Sequence, residues 1–203
     1  STDSTFEILK SIKWIEIIRN RRNRGYGYSL KKGIRYVDSE FIIIIDGDGT
    51  YPASGIAGLI KYGGDYDMVV GARTGKIVKV PFFRKPAKWF LRLFAEYVTS
   101  TRILDLNSGL RLFRRDIALR FISLFPDGFS FPTTLTIACL TNDYSIKFFP
   151  INYYERKGKS TIHPIKDFLG FTKTIFRLTI FFKPLNIFIP ISLFIFILGF
   201  LKL

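Results

Sequence analysis

The sequence predicts an α/β fold, and two apolar strands with helical segments between and after them carry this prediction. The run Phe41–Ile45 contains only phenylalanine and isoleucine and ends abruptly at Asp46, which is typical of a buried, parallel strand. A second run over residues 67–72 ends at Arg73. Because strands alternate with segments of helical spacing, we expect an α/β sheet that is covered by helices on both faces.

Further elements are predicted from apolar spacing and from helix start signals. Ser4-Thr5-Phe6-Glu7 has the pattern of a capping box, and apolar residues at helical spacing predict a helix from there to Ile18. Residues 23–33 contain three glycines and lead into a helix-like stretch. The remaining predictions are helices over residues 86–99, 115–124 and 131–142 and a strand over residues 145–151.

The composition indicates an anionic partner for this chain, and it fits a reducing compartment. The chain has 203 residues, a single cysteine and a formal net charge of +15, which suits one compact domain with an appendage. The lone Cys139 excludes a disulfide framework. So large a positive charge favours an anionic partner. Because the basic residues near the C-terminus accompany many aliphatic and aromatic residues, we expect membrane lipid rather than nucleic acid.

The C-terminal part of the chain is predicted to contact a membrane. Residues 164–182 are amphipathic and basic, which resembles a helix that lies in a membrane interface. The run Leu185–Leu201 has no charge and lies between Lys183 and Lys202, near the short limit of about 17 residues for a spanning helix. A buried core helix is the alternative. The basic residues indicate that the catalytic part lies on the cytosolic side.

The motif Asp46-Gly47-Asp48 is the sharpest chemical feature of the sequence. It follows a buried strand, and ligands of open α/β sheets bind at the carboxyl ends of strands. Two carboxylates at this spacing can bind Mg²⁺, which completes its shell with water and substrate phosphates. A diphosphate substrate is therefore implied. Two alternatives stay open at this point: a solvated turn, and the nucleophile motif of haloacid-dehalogenase-type phosphatases. That family also has a later lysine and then a strand that ends in an acidic pair, for which this sequence offers only weak candidates.

Four segments in order resemble family-2 glycosyltransferases, specifically the dolichyl-phosphate mannose synthase-like branch. They are Asn23-Arg24-Gly25-Tyr26-Gly27, Asp46-Gly47-Asp48 with Pro52, Val69-Val70-Gly71-Ala72-Arg73, and Asp105-Leu106-Asn107-Ser108-Gly109-Leu110-Arg111-Leu112-Phe113-Arg114. Each is weak alone, but their order and spacing match over roughly residues 1–160. The resemblance implies an A-type glycosyltransferase fold, with a Rossmann-like, mostly parallel sheet and with Asp46 and Asp48 on Mg²⁺ or Mn²⁺.

The resemblance also implies roles for individual residues. Asp48 and Arg73 would take part in the chemistry. The residues implied to bind the nucleotide-sugar are Asn23, Gly25, Asp46 and Gly47. The acceptor would be a polyprenyl (dolichyl or undecaprenyl) phosphate, and the residues implied to bind its phosphate are Arg73, Arg84, Lys88, Arg156 and Ser160. Because a phosphate is already ionised near neutrality, positioning and electrostatics are expected to carry the catalysis.

Several of these residues have plainer interpretations. Arg84 and Lys88 could form a solvated helix face or contact lipid headgroups, whereas Asp105 and Ser108 could hold their loop. Arg111 is expected to have a surface or structural role. Residues 132–134 are Pro-Thr-Thr where close relatives often carry an acidic residue. Because the first residues resemble those that follow an early Asp-Asp-Gly-Ser-like turn of the family, we expect an N-terminal truncation.

The sequence thus predicts metal-dependent, inverting transfer of a sugar from a nucleotide-sugar to a polyprenyl phosphate at the cytosolic membrane face. The expected organisation is a partial catalytic domain over residues 1–160, an amphipathic interface helix over 161–183 and a transmembrane segment over 184–203. Expected partners are the donor, the acceptor and membrane lipid. The non-enzymatic alternative is a membrane-anchored, degenerate subunit whose basic surface binds anionic lipid.

Overall fold

The structure is a computed structural model that describes residues 4–78, 85–155 and 164–202. The helices in this part of the chain are α1 (Thr5–Lys10), α2 (Tyr26–Tyr36), α3 (Ser54–Ile60), α4 (Lys85–Thr99), α5 (Arg115–Arg120), α6 (Phe131–Leu140), α7 (Pro164–Phe182) and α8 (Leu185–Phe200). The strands are β1 (Phe41–Ile44), β2 (Met68–Ala72), β3 (Arg111–Arg114) and β4 (Ile146–Pro150).

The four strands form one sheet in the order β1-β3-β2-β4. Strands β2 and β4 pair in parallel, with Met68 opposite Ile146, while β3 is antiparallel to both β1 and β2. Three strands therefore run in one direction, as predicted for a mostly parallel sheet. Strand β3 runs the other way, and apolar patterning missed it because arginines stand at both of its ends.

Helices cover both faces of the sheet, as expected. Along β2 the side chains alternate between the faces: Met68 and Val70 pack with α2, α5 and α6, whereas Val69 packs with Leu59 of α3. Helices α4 and α7 pack against α6 in a third apolar cluster, which includes Ile175 and Leu178 of α7. Each such buried aliphatic side chain stabilises the fold by about 1.5–3 kcal/mol.

The predicted first helix is shorter than the sequence pattern suggests. Helix α1 ends at Lys10 rather than at Ile18, and the Ser4 side chain makes no capping hydrogen bond. No residue of α1 is buried. Helices in proteins gain most of their stability from packing of an apolar face. Because α1 has no buried face, packing does not stabilise further helical turns.

The C-terminal helices α7 and α8 differ in how they pack. Helix α7 buries Ile175 and Thr179, so part of the apolar side assigned to a membrane interface lies in the protein core instead. Helix α8 has no buried residue. No single helix among the described residues is long and apolar enough to cross a membrane, although α7 and α8 together satisfy length and composition across a bend of 93°. The spanning segment stays a prediction.

Candidate active site

The two aspartates of the motif lie at the carboxyl end of β1 in a packed turn. Both are half-buried. Asp48 Oδ1 accepts hydrogen bonds from the Thr50 backbone N–H (3.1 Å) and from Thr50 Oγ1 (2.6 Å), and its other oxygen, Oδ2, is buried. Gly49 has φ 75°, a left-handed conformation that favours glycine. Because Thr50 is fully buried, this turn holds its carboxylates in place and is not a freely solvated turn.

Gly109 brings the backbone of a second loop against Asp46. A Cβ atom on Gly109 would lie 2.8 Å from Asp46 Cγ, so only glycine fits without displacing the carboxylate. The Gly109 N–H donates a hydrogen bond to the Tyr51 hydroxyl (2.7 Å). The loop that precedes β3 therefore forms one wall of the carboxylate site.

Tyr26, in the first turn of α2, also lies beside Asp46. Its hydroxyl is within hydrogen-bonding reach of the Asp46 carboxylate. Burial, followed by the negative charge of Asp46, raises the pKa of Tyr26 well above its ordinary value. The phenol thus stays a neutral donor throughout the physiological pH range.

Asn23 and Gly25, predicted to bind the nucleotide-sugar, form the turn that begins α2. The Asn23 Oδ1 atom accepts a hydrogen bond from the Gly25 N–H (2.9 Å), and Gly25 has φ 98°. A Cβ on Gly25 would overlap the carbonyl of Asp127, so the turn packs closely on that loop. Gly47, by contrast, has open space where a Cβ would stand.

Arg73 and Asp105 form a bidentate ion pair at the end of β2. Arg73 Nε and Nη2 each lie 2.7 Å from an Asp105 oxygen, and the Arg73 backbone N–H also donates to Asp105 (3.0 Å). The side chains are only 13% and 10% exposed. Burial alone would raise the pKa of Asp105, but the charge and hydrogen bonds of Arg73 outweigh burial and lower it.

Tyr51 connects the carboxylate site to this ion pair. Burial raises the pKa of Tyr51, and the charges of Arg73, Asp46 and Asp105 also act on it, so both charged groups lie near this tyrosine. Its ring packs edge-on against Tyr153 (5.2 Å between centroids), and the Arg73 guanidinium lies over the same Tyr153 ring. Arg73 is thus connected to the carboxylate site through the Tyr153 and Tyr51 rings, and its role at the acceptor phosphate stays a prediction.

The charge of Lys88 also helps to lower the pKa of Asp105, so Lys88 lies near enough to the ion pair to act on it. The other three residues predicted to bind the acceptor phosphate, Arg84, Arg156 and Ser160, lie outside the described residues. Asp105 and Ser108 do hold their loop: Ser108 Oγ donates to the Gly71 carbonyl (2.6 Å).

Arg111 supports the same loop from within the protein. It is fully buried, and it donates to the Ser108 carbonyl through Nε (3.0 Å) and Nη2 (2.7 Å). Nη1 donates to the Pro132 carbonyl of α6 (3.0 Å). The expected structural role of Arg111 is confirmed, although its position is buried. Tyr26, Tyr51 and Gly109 have no individual role in the sequence-based prediction, although all three lie in or beside the quoted motifs.

The residues at the end of β1 fit a divalent cation that is shared with a diphosphate. Within residues 4–78, 85–155 and 164–202, no group of three or more His, Cys, Asp or Glu side chains could hold a metal ion. A complete protein cage is therefore not formed by this part of the chain. Mg²⁺ commonly uses only one or two carboxylates and takes further oxygens from substrate phosphates, which matches Asp46 and Asp48.

Gly109→Ala is expected to weaken metal binding without unfolding the domain. The new methyl group would displace the Asp46 carboxylate, and ligand geometry controls affinity for small hard cations. Titration of Mn²⁺ in the presence of a nucleoside diphosphate should show affinity lower by about 10-fold or more, a change typical of disturbed metal-site support. Gly33→Ala, where a Cβ meets nothing within 4 Å, is the matched control. Unchanged affinity in Gly109→Ala would contradict the assignment.

Comparison with known proteins agrees with this geometry. Residues 1–121 match the family described as Glycosyl transferase family 2. The chain is 26% identical to Glycosyltransferase AglJ of Haloferax volcanii over 82% of the chain and 56% of that protein. It is 25% identical to a Dolichyl-phosphate hexose transferase of the same organism, over 87% of the chain and 77% of the relative. The chain thus spans little more than half the length of the first relative.

Solved structures show the same fold. Glucosyl-3-phosphoglycerate synthase from Mycobacterium tuberculosis, in complex with Mn²⁺, uridine-diphosphate and phosphoglyceric acid, superposes with a TM-score of 0.61 at 14% identity. The superposition covers 89% of this chain and 63% of that one. The complex of the same enzyme with phosphoglyceric acid gives a TM-score of 0.60 at 15% identity. The predicted A-type glycosyltransferase fold is confirmed, and the phosphatase alternative is set aside. Because the family matches more than half of the chain, the chain belongs to glycosyl transferase family 2.

Proposed function

We propose that the chain is the catalytic part of a membrane-bound enzyme that transfers a sugar from a nucleotide-sugar to a polyprenyl phosphate, with inversion at the anomeric carbon. The observation that carries this proposal is the chain of contacts by which Tyr153 and Tyr51 connect Arg73 to the loop that packs on Asp46. A relative named as a dolichyl-phosphate hexose transferase supports the acceptor, and a fold neighbour solved with Mn²⁺ and uridine-diphosphate supports the donor.

The donor would bind at the end of β1. Asp46 and Asp48 would hold Mg²⁺ or Mn²⁺, and the ion, when bound, would neutralise charge on the departing nucleoside diphosphate. Tyr26 and the Gly109 backbone both lie against the Asp46 carboxylate, while Thr50 holds Asp48. This support fixes the carboxylates before the donor arrives, so little reorganisation is needed during the reaction. Asn23 and Gly25 would contribute to nucleotide-sugar binding through the turn that they form.

The acceptor phosphate would meet Arg73. Two nitrogens of Arg73, Nε and Nη2, each donate to Asp105. Because a guanidinium has five N–H donors, donors on Nη1 and Nη2 remain for the phosphate. A phosphate oxygen would attack the anomeric carbon while the bond to the diphosphate breaks, and no base is required because the phosphate is already ionised. Asp105 keeps the guanidinium oriented, and Lys88 adds positive charge nearby. Arg84, Arg156 and Ser160 remain proposed contacts of the same phosphate.

We place the site at the cytosolic face of a membrane, attached through α7 and α8. Most apolar side chains of α8 are exposed, with Phe194 at 63%, and so large an apolar surface is rare on monomeric soluble proteins. Basic residues accompany it on α7, which suits the anionic cytosolic leaflet.

The test is a transfer assay on the full-length protein in membranes. A panel of labelled nucleotide-sugars is incubated with polyprenyl phosphate, and the lipid fraction is analysed with and without Mn²⁺ or Mg²⁺. We expect one donor to label the lipid only when a divalent cation is present. If no donor in the panel labels the lipid, the alternative of a degenerate, lipid-binding subunit is favoured, and in that case Asp48→Ala would leave cellular function intact.

A further inference from the structure

The loop between α5 and α6 lies against the first turn of α2, beside the candidate active site. Helix α2 has no side-chain cap at its N-terminus, so the first backbone N–H groups of this helix need acceptors from elsewhere. The Asp127 carbonyl is one such acceptor, because the Tyr28 N–H donates to it (3.2 Å). The loop thus takes over part of the capping of the helical turn to which Tyr26 belongs.

Two glycines of α2 and its cap allow this close approach. A Cβ on Gly27 would overlap the Pro126 carbonyl, just as a Cβ on Gly25 would overlap the Asp127 carbonyl. The backbone of the loop and the backbone of the first turn of α2 are therefore in direct contact. A displacement of the loop would displace this turn as well.

Lys31 binds the loop to the helix. It lies one turn after Gly27, on the same side of α2. Lys31 Nζ donates a hydrogen bond to the Phe125 carbonyl (3.0 Å), and it pairs with the Asp127 carboxylate (2.6 Å). The Lys31 side chain is only 16% exposed, so its ammonium group depends on these two acceptors for much of its solvation.

The loop also contacts Tyr26 itself. Phe125 anchors the loop in the core, where its ring packs against Phe131 of α6 with 4.5 Å between centroids. Further along the loop, the Phe129 ring stacks on the Tyr26 ring, with 6.1 Å between centroids and 25° between the planes. The position of Tyr26 is thus set by the loop in two ways, through the helical turn and through its ring.

Tyr26 connects this arrangement to the cation site. Its hydroxyl is within hydrogen-bonding reach of the Asp46 carboxylate, and the Gly109 backbone leaves that carboxylate little room to move. Groups that hydrogen-bond to metal ligands orient those ligands and control the affinity for the metal. A shift of Tyr26 would therefore change how Asp46 presents its oxygens to a cation.

We infer that Lys31 is a positioning residue of the cation site: it holds the loop over residues 125–129 against α2, and this loop in turn holds Tyr26 on Asp46. The inference rests on the proposed function, because Asp46 serves there as a ligand of Mg²⁺ or Mn²⁺. It extends that function to a lysine outside the sequence motifs that identified the site.

The test is a titration of Mn²⁺ into the full-length protein with uridine or guanosine diphosphate present. Tyr26→Phe removes only the hydroxyl, and we expect the Mn²⁺ affinity to fall by about 10-fold, as for other groups that support metal ligands. Lys31→Met removes the ammonium group but keeps most of the aliphatic chain, and we expect a loss no larger than that of Tyr26→Phe. Lys31→Arg can donate to both the Phe125 carbonyl and Asp127, so it should restore the affinity.

The neighbouring Lys32 provides the matched control. Its Nζ donates to the Arg19 carbonyl instead (2.9 Å), so Lys32→Met makes the same chemical change one position away and should leave the Mn²⁺ affinity unchanged. Asp127→Asn is a milder variant, because it removes the ion pair and leaves the hydrogen bond to Phe125. We expect a smaller loss of affinity in the same direction, and this variant decides the inference if Lys31→Met does not fold.

The double variant Lys31→Met with Tyr26→Phe tests the order of the contacts. Substitutions at independent sites have additive free energies, whereas substitutions along one chain of contacts do not. Because Lys31 acts through Tyr26, the double variant should bind Mn²⁺ as Tyr26→Phe alone does. Losses that multiply in the double variant would overturn the inference, and so would a loss in Lys31→Met without one in Tyr26→Phe.

The remaining outcomes separate this inference from the proposed function. Unchanged Mn²⁺ affinity in Lys31→Met, even with lower stability in chemical denaturation, would overturn the inference and leave the proposed function intact. A parent protein that binds Mn²⁺ in this assay but transfers no sugar would contradict the proposed function alone. If the parent protein bound no Mn²⁺ with either diphosphate, the cation site would be wrong, and the inference would be overturned with it.

Discussion

Asp48→Asn is expected to reduce sugar transfer by about 10²–10³-fold or more, the range found when a group that stabilises transition-state charge is removed. Asparagine has nearly the same shape and can still accept the Thr50 hydrogen bonds through its side-chain oxygen. The fold should therefore persist, while the cation loses one negatively charged ligand. Transfer assays and Mn²⁺ titration in the presence of a nucleoside diphosphate measure the two effects.

A matched control separates this local effect from a general change of charge. Asp65 lies exposed in the turn after α3, so Asp65→Asn makes the same chemical change away from the site. We expect unchanged transfer and unchanged Mn²⁺ affinity in that variant. If Asp48→Asn bound Mn²⁺ as well as the parent protein does, Asp48 would not be a metal ligand.

Asp105→Ala is expected to have the largest effect on stability. Removing one partner of a buried ion pair leaves an uncompensated charge, which costs about 3–5 kcal/mol. Arg73 would also lose the carboxylate that orients it, so transfer should fall together with stability. Chemical denaturation measures the first effect, and transfer at a temperature where the variant is folded measures the second.

A double substitution distinguishes the structural role of the pair from its role with substrate. Arg73→Met with Asp105→Leu replaces both charges with apolar groups, a change that is often neutral for stability. We expect stability to recover while transfer stays low, because no guanidinium remains for the acceptor phosphate. Recovery of transfer as well would mean that Arg73 does not contact the substrate.

The same pair predicts how stability depends on pH. The pKa of Asp105 in the folded protein is lower than the 3.8 of the free side chain, so the folded state favours the ionised carboxylate. The stabilisation from Arg73 is therefore complete above that pH and is lost as the pH falls further. Below it, the double variant should lose less stability on acidification than the parent protein does.

Local sequence patterns were sufficient to predict the helices and strands whose apolar residues are continuous or regularly spaced. Strand β1 is such an element, and so is α6, whose residues are buried almost throughout. Strand β3 escaped prediction because a buried arginine looks like a surface residue in sequence. Arg111 is satisfied by carbonyl oxygens of Ser108 and Pro132, and only the folded chain brings those oxygens together.

For the candidate active site, the order of the motifs already predicted the aspartates and Arg73 as site residues, and it identified the family. A carboxylate pair after an apolar strand is a local feature, and local features are visible in sequence. The contacts that hold these groups depend on chain segments far apart: Tyr26 reaches Asp46 from α2, and Gly109 approaches it from the loop before β3. The ion pair of Arg73 with Asp105 joins residues separated by 32 positions. Such partners are selected by the shape of the packed core, which no local pattern encodes, so tertiary structure alone decided them.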